Sequence, residues 1–163
     1  MASQIFEVLV QKEYRLGAGA AFTLANMGRG EGTERPMAPA ILVVDDEPEI
    51  RNFLRLLLEG EGYRVRIAAD GEEAASLAAT DPPDLVLTDW SMPRLGGDGL
   101  CALLRRRERT RQIPVVLMSA VTSSASADYA GFLAKPFDLD QMLGIIRECL
   151  NPDPPVTPSS CRR

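Results

Sequence analysis

The sequence predicts an α/β fold in which a parallel β-sheet is covered by helices on both faces. Two observations support this prediction. Short continuous apolar runs, typical of strands buried on both faces, alternate along residues 40–150 with segments of helical periodicity. The chain has 163 residues, which is enough for one domain with a core and too few for two ordinary domains.

The predicted strands are short runs rich in Val, Leu and Ile. They cover residues 40–44, 63–68, 84–88, 114–118 and 131–134. The predicted helices run from Glu47 to about Gly60, from Asp70 to Ala79, from Asp98 to about Arg109 and from Asp138 to Leu150. Asp70 and Asp138 are the expected N-caps of their helices, and Pro48 suits a first helical turn.

The composition excludes several kinds of site. The chain has no histidine, so Ser–His and Cys–His nucleophile pairs and histidine-ligated metals are excluded. Its three cysteines form no CxxC pair, which disfavours a disulfide framework and favours a reducing, cytoplasmic location. No apolar run approaches the roughly 18 residues that a membrane span needs. Residues 40–150 hold 12 basic and 18 acidic side chains, which disfavours a nucleic-acid partner.

The chain divides into three parts by composition. Residues 1–38 have no steady period and are expected to be a poorly ordered extension. Residues 39–150 form the predicted domain, and residues 151–163, with four prolines, are expected to be a disordered tail. Met37 lies three residues before the first strand, and one hypothesis is that it is the natural start. The intact mass of the native protein would test that hypothesis.

Polar side chains directly follow four of the five predicted strands. Asp45 and Asp46 follow the first, Asp89 the third, Ser119 the fourth and Lys135 the fifth. Since ligands bind at the carboxyl ends of strands in such sheets, we expect these residues to share one crevice. Carboxylates this close repel unless a cation intervenes, and oxygen ligands suit Mg²⁺, with Mn²⁺ as the alternative. The set predicts an acyl phosphate on Asp89, with Lys135 and Ser119 binding phosphoryl oxygens.

Each of these residues also has a purely structural interpretation. An Asp-Asp pair after a strand often caps a helix, and a single Asp at a strand end is a common turn residue. Ser119 alone carries little information, and Lys135-Pro136 could lie in an ordinary loop. The functional interpretation therefore rests on the joint placement of the set.

Residues 40–150 resemble the receiver domain of the response regulators of two-component signalling. Four stretches in order carry the resemblance: ILVVDDEP at 41–48, LVLTDWSMP at 85–93, VVLMSA at 115–120 and FLAKPF at 132–137. The resemblance implies a flavodoxin-like, doubly wound sheet of five parallel strands in the order 2-1-3-4-5.

The resemblance also implies a role for each residue of the site. Asp89 would accept a phosphoryl group from the phosphohistidine of a sensor histidine kinase or a phosphotransfer protein. The implied Mg²⁺ ligands are Asp45, Asp46, Asp89 and the backbone carbonyl of Ser91. The implied phosphoryl sensors are Ser119 and Lys135, the switch aromatic is Phe132, and the Lys135–Pro136 peptide bond is cis.

The sequence departs from the family pattern between Ser119 and Lys135. Lys135 follows Ser119 by 16 positions. Family members usually have about six more residues here, close to one and a half helical turns. The missing length falls in residues 120–130, so we expect a shortened fourth helix and an altered output surface.

Three functions are compatible with this sequence. The preferred one is a stand-alone receiver, not a turnover enzyme, that signals by protein contact as a monomer or a phosphorylation-dependent dimer. The second is a degenerate receiver used for interaction or dimerisation, which the shortened region favours. The third is an aspartyl-phosphate phosphohydrolase. Such enzymes usually carry a second acid two positions after the nucleophile, where this chain has Ser91.

Overall fold

Five parallel strands form one sheet in the computed structural model, which describes residues 38–120 and 129–151. The strands are Ala40–Val44 (β1), Arg64–Ala68 (β2), Leu85–Asp89 (β3), Val115–Ser119 (β4) and Gly131–Ala134 (β5). Their order across the sheet is β2-β1-β3-β4-β5, and every neighbouring pair is parallel. The predicted α/β class and the flavodoxin-like strand order are therefore confirmed.

Helices cover both faces of this sheet. Within the described residues they are Pro48–Gly60 (α1), Gly71–Thr80 (α2), Gly97–Arg105 (α3) and Leu139–Leu150 (α4). One core cluster joins α1 and α4 to the sheet, and a second joins α2 and α3 to the opposite face. The sheet is therefore doubly wound, as the alternation of strands and helices predicts.

Successive side chains of β1 enter opposite core clusters. Ile41 and Val43 pack with the α1 and α4 side, whereas Leu42 and Val44 pack with the α2 and α3 side. Because β1 is a central strand with a helix layer on each face, every position needs an apolar side chain. This requirement is why a continuous apolar run, rather than an alternating one, marks the strand.

Two helices begin at a capping aspartate, as predicted. Asp70 Oδ1 accepts the N–H groups of Glu72 and Glu73, both at 2.9 Å, at the start of α2. Asp138 Oδ1 accepts the N–H of Gln141 at 2.7 Å at the start of α4. Each carboxylate satisfies otherwise unpaired donors and interacts favourably with the positive end of the helix dipole.

The third helix is shorter than predicted, because it ends at Arg105 rather than near Arg109. The Arg105 guanidinium donates to the Arg111 carbonyl at 2.9 Å, and the Thr110 hydroxyl donates to the Leu104 carbonyl at 2.8 Å. These bonds stabilise a turn that leads the chain into β4. The helix propensity of arginine contributes only a few tenths of a kcal/mol per residue, whereas each hydrogen bond of the turn contributes about 1 kcal/mol. The hydrogen bonds therefore decide where the helix ends.

The third and fourth strands begin and end one residue later than predicted. Asp89 and Ser119 are therefore the last residues of β3 and β4 rather than the first residues beyond them. Asp84, predicted to begin the third strand, instead ties the start of β3 to β1. Its carboxylate accepts the Ala40 N–H at 2.7 Å, and its own N–H donates to the Ala40 carbonyl at 2.8 Å.

Three predictions concern residues that lie outside the described part of the chain. The extension falls there over residues 1–37, the tail over 152–163 and the shortened fourth helix over 121–128. These expectations stay predictions. Within residues 38–120 and 129–151, every helix is too short or too polar to cross a membrane.

Gly97 begins α3 at a point where a side chain has no room. A Cβ there would lie 2.6 Å from the Asp89 carbonyl oxygen and 3.2 Å from Leu117 Cδ1. We expect Gly97→Ala to lower the free energy of unfolding by about 1–3 kcal/mol, because the backbone must shift. Gly144→Ala, in the interior of α4 with nothing within 4 Å of its added Cβ, should instead raise it by up to about 1 kcal/mol. Urea unfolding measures both, and equal stabilities would contradict the steric argument.

Candidate functional site

The register of the sheet brings the predicted site residues to one edge. The last pairs of three parallel ladders are Val44 with Thr88, Asp89 with Met118 and Ser119 with Ala134. The carboxyl ends of β1, β3, β4 and β5 therefore lie side by side. Asp45, Asp89, Ser119 and Lys135 all lie at this edge, although they are far apart in the sequence.

Asp89 is buried, with 8% of its surface exposed, and both of its carboxylate oxygens are bonded. Oδ1 lies 2.5 Å from Lys135 Nζ, and Oδ2 accepts the Ser91 N–H at 2.8 Å. Hydrogen bonds between charged groups are shorter and stronger than neutral ones. The Asp89 carboxylate is therefore held in one orientation, at the end of β3.

Asp45 is more deeply buried than Asp89, with 1% exposed, and its bonding is incomplete. Oδ1 accepts the Glu47 N–H at 2.9 Å, but Oδ2 has no hydrogen-bond partner among the described residues. Burial is the main reason that the pKa of the Asp45 carboxyl is raised to about 6. The charges of Asp89 and Asp46 raise this pKa as well. The Glu47 hydrogen bond and the Lys135 ammonium lower it, without cancelling the effect of burial.

Lys135 bridges the two buried carboxylates. Its Nζ lies 2.5 Å from Asp89 Oδ1 and 3.7 Å from Asp45 Oδ2, and its side chain is 11% exposed. Its backbone N–H donates to the Ser119 carbonyl at 2.7 Å, which fixes the start of the chain after β5. The Lys135–Pro136 peptide bond is cis. The single lysine of residues 40–150 thus supplies a positive charge to the carboxylates at this edge.

The oxygen donors at this edge fit a hard cation. Asp45 Oδ2 is a buried carboxylate oxygen that accepts no hydrogen bond from the residues the structure describes, and Mg²⁺ prefers ligands of this kind. Asp46 and Ser91 are exposed on the solvent side. Within residues 38–120 and 129–151, no three acidic, Cys or His side chains already form a cage for a metal ion. The ammonium of Lys135 lies between the buried carboxylates instead, so the predicted metal ligands stay a prediction.

The predicted sensor and switch residues lie beside this edge. Ser119 is buried at the end of β4, with 4% exposed. Phe132 in β5 is half-buried and packs on the α2 and α3 side of the sheet, as do Trp90 and Tyr129. The sensor role of Ser119 and the switch role of Phe132 stay predictions.

Sequence reasoning did not identify three contacts around the site. The Arg51 guanidinium donates to the Asp45 carbonyl oxygen at 2.6 Å, the rings of Trp90 and Tyr129 pack edge to face with centroids 6.4 Å apart, and Arg94 forms an ion pair with Asp70. Arg51 had a local signal, because it lies in the first turn of α1, five positions after Asp46. The other two contacts join residues that are distant along the chain, and no periodicity marks them.

The raised pKa of Asp45 predicts that stability depends on pH in metal-free buffer. The folded protein binds this proton more tightly than the unfolded chain, whose carboxyl has the ordinary value of 3.8. Wild-type stability should therefore fall as the pH rises from about 4 to above 6. Asp45→Asn keeps the Oδ1 acceptor and removes the charge. We expect this variant to be more stable than wild type by about 1–3 kcal/mol near neutral pH, with no difference below about pH 4.

Urea unfolding of both proteins in the presence of a chelator measures this difference across the pH range. A difference that is independent of pH would contradict the assignment of the titration to Asp45.

Similar proteins of known class agree with this geometry. Residues 41–147 match the response regulator receiver domain. The DNA-binding dual master transcriptional regulator RpaA of Synechocystis sp. is 38% identical over 121 residues, which are 69% of this chain and 49% of that protein. The response regulator MprA of Mycolicibacterium vanbaalenii is 40% identical over 121 residues, which are 70% of this chain and 51% of that protein. The chain spans about half the length of these curated relatives.

A solved structure gives the same result for the fold. The receiver domain of the sensor histidine kinase PA1611 from Pseudomonas aeruginosa was crystallised with a magnesium ion coordinated in its active-site cleft. It matches with a TM-score of 0.65 and 28% identity, over 70% of this chain and 98% of that chain. The match to the family covers most of the chain and agrees with the strand order and with the acidic edge of the sheet. The chain therefore belongs to the response regulator receiver domain family of two-component signalling.

Proposed function

We propose that Asp89 is the phosphoacceptor and that it takes its phosphoryl group from the phosphohistidine of a sensor histidine kinase or a phosphotransfer protein. The observation that carries this proposal is the 2.5 Å contact between Asp89 Oδ1 and Lys135 Nζ. An ammonium beside a buried carboxylate provides positive charge where an incoming phosphoryl group would place its oxygens.

The proposed transfer is a displacement at phosphorus. A carboxylate oxygen of Asp89 attacks the phosphorus atom, and an O–P bond forms as the N–P bond of the phosphoimidazole breaks. The imidazole leaves with the electron pair of that bond and takes up a proton from solvent. Lys135 exchanges its contact with the Asp89 carboxylate for one with a phosphoryl oxygen, and the Ser119 hydroxyl donates to another.

Asp45, Asp46, Asp89 and the Ser91 carbonyl would hold Mg²⁺ for this step, with Mn²⁺ as the alternative ion. When bound, the ion supplies positive charge that offsets the carboxylates and the phosphoryl oxygens. Two observations support a metal here: within the described part of the chain the buried Asp45 Oδ2 accepts no hydrogen bond, and the Pseudomonas receiver holds a magnesium ion in its active-site cleft.

We further propose that Ser119 and Phe132 transmit the change. A phosphoryl group adds close to two negative charges and three acceptor oxygens to the edge of the sheet. Ser119 is then drawn towards the phosphoryl group, and the half-buried ring of Phe132 turns into the space that it leaves. The surface near β4 and β5 changes shape as a result, and a partner protein recognises the new shape.

We also propose that the protein is a stand-alone cytoplasmic receiver, monomeric or dimerising on phosphorylation, whose output is protein contact. The excess of acidic over basic side chains in residues 40–150 supports the output by protein contact, because such a domain binds phosphate backbones poorly. Ser91, in the position where phosphohydrolases place a second acid, supports a switch rather than a turnover enzyme. The intact mass of the native protein tests this role, since a product with a further domain would contradict it.

The phosphoacceptor is tested by Asp89→Asn, which removes the carboxylate nucleophile while keeping its shape. We expect no labelling of this variant by acetyl phosphate and Mg²⁺, as measured by intact mass. Asp84→Asn is the control, because Asp84 precedes the same strand at the opposite edge of the sheet and should leave labelling unchanged. Full labelling of Asp89→Asn would refute the assignment, and an unlabelled wild type would favour the degenerate receiver.

The cationic role of Lys135 predicts competition with the metal ion. Lys135→Gln removes a positive charge 3.7 Å from Asp45 and 2.5 Å from Asp89. We expect Mg²⁺ to bind this variant about five- to thirtyfold more tightly, because a unit charge and a divalent ion about 4–8 Å apart repel by roughly 1–2 kcal/mol under water-like screening. Fluorescence of Trp90, the single tryptophan, measures the affinity. Arg147→Gln, the same charge change on the exposed side of α4, should have little effect. Unchanged or weaker binding to Lys135→Gln would contradict the competition.

A further inference from the structure

The loop that follows β3 is tied to the start of α2. This loop, residues 90–96, contains Ser91, whose N–H donates to Asp89 Oδ2. Further along the same loop, the guanidinium of Arg94 forms an ion pair and hydrogen bond with Asp70 Oδ2. The Asp70 side chain is 8% exposed and that of Arg94 is 62% exposed. The buried carboxylate at the start of α2 therefore binds an exposed arginine of the loop after β3.

The two oxygens of Asp70 have different partners. Oδ1 caps α2 by accepting the N–H groups of Glu72 and Glu73, whereas Oδ2 is bonded to Arg94. The Glu73 N–H and the Arg94 guanidinium hold the pKa of Asp70 below its usual range. The carboxylate is therefore charged at neutral pH and can serve the helix and the loop at once.

A second contact at the same place joins the two backbones. The Gly71 N–H donates to the Leu95 carbonyl at 3.1 Å, and a Cβ on Gly71 would lie 2.6 Å from that oxygen. Arg94 has a φ of 64°, a left-handed conformation that arginine rarely adopts and that needs support from its surroundings. The Gly97 N–H donates to the Trp90 carbonyl at 3.0 Å and closes the loop at its other end.

We propose that Asp70 and Arg94 are positioning residues that order the loop carrying Ser91 and so set the affinity of the site for Mg²⁺. This inference rests on the proposed function of Asp89. An exposed ion pair adds little stability by itself. It lowers the entropy lost on binding, however, if it already holds a ligand-bearing loop in the bound geometry. Among the described residues the pair makes no hydrogen bond or ion pair with Asp89 or Asp45, and it acts through the backbone of residues 90–96.

Two substitutions separate this role from the cap. Asp70→Asn keeps the Oδ1 acceptor for α2 and removes the charge and the second acceptor that face Arg94. Arg94→Asn removes the guanidinium but keeps a residue type that tolerates the left-handed conformation. We expect Mg²⁺ to bind each variant about three- to tenfold more weakly, as judged by Trp90 fluorescence. The double variant should be no weaker than either single one, since both changes break the same contact.

The matched control is the ion pair between Arg66 and Asp81 at the other end of α2. Asp81→Asn removes one carboxylate charge from the same helix, as Asp70→Asn does, and should leave Mg²⁺ affinity unchanged. Arg94→Lys keeps the cation and should recover at least part of the affinity. If Asp70→Asn or Arg94→Asn binds Mg²⁺ as wild type does, or if Asp81→Asn weakens binding equally, the positioning role is overturned.

Amide hydrogen exchange of the metal-free protein supplies an independent measurement. We expect the Ser91 and Gly71 amides to lose about three- to tenfold of their protection in Asp70→Asn and Arg94→Asn, while the amides of β1 keep theirs. Unchanged protection at Ser91 would refute the ordering of the loop. If the wild-type protein neither binds Mg²⁺ nor is labelled by acetyl phosphate, the proposed function is refuted instead. The exchange data would still decide whether the pair orders the loop.

Discussion

The contact of the Lys135 ammonium with two buried carboxylates is the interaction on which the site depends. Removing a carboxylate from water costs several kcal/mol unless an opposite charge or hydrogen bonds replace the solvent. Asp89 meets this requirement fully, since Lys135 binds Oδ1 and the Ser91 N–H binds Oδ2. Asp45 meets it only in part, because Oδ2 lies 3.7 Å from the ammonium and has no hydrogen bond among the described residues. One lysine is therefore shared between two acids, and a second cation would relieve the remaining cost.

The architecture of the sheet explains why these two carboxylates have only one positive charge near them. Most residues of β1, β3 and β4 are apolar and buried under helices on both faces, so the polar residues gather near the carboxyl ends of these strands. Parallel pairing then places those ends side by side. The same pattern that stabilises the core thus places Asp45, Asp89 and Ser119 in one small region, where the two carboxylates repel each other.

The sequence allows prediction of features that depend on local patterns. The runs that form β1 and β5 and the caps at Asp70 and Asp138 were predictable, because an apolar run or a capping carboxylate acts on its immediate neighbours. The placement of Asp45, Asp89 and Lys135 at one edge followed from the strand-end rule. The end of α3 was not predictable, because the carbonyls that bind Arg105 and the hydroxyl of Thr110 belong to a turn without any periodicity.

The Asp70 side chain makes one contact that could be predicted from the sequence and one that could not. Its local half, the cap of α2, follows from an aspartate two and three residues before the amides that it accepts. Its distant half joins residues 24 positions apart in the sequence. Only the folded arrangement of α2 beside the loop after β3 brings them together. A long arginine side chain in a polar loop carries no sign of this in the sequence, since the same composition is typical of a solvated arginine.

Under the proposed function, the bonding of Asp89 suggests an order of events at the site. Both oxygens have partners in the structure, so the carboxylate is stabilised, and the ammonium bonded to Oδ1 lowers the nucleophilicity of that oxygen. An incoming phosphoryl group carries more negative charge than the carboxylate and offers Lys135 a stronger partner. Transfer of the ammonium from Asp89 to the phosphoryl group would free Oδ1 at the moment when a nucleophile is needed, while the Ser91 N–H keeps Oδ2 in place. In the proposed function, the lysine that holds the resting carboxylate would therefore also be the group whose departure makes the carboxylate more reactive.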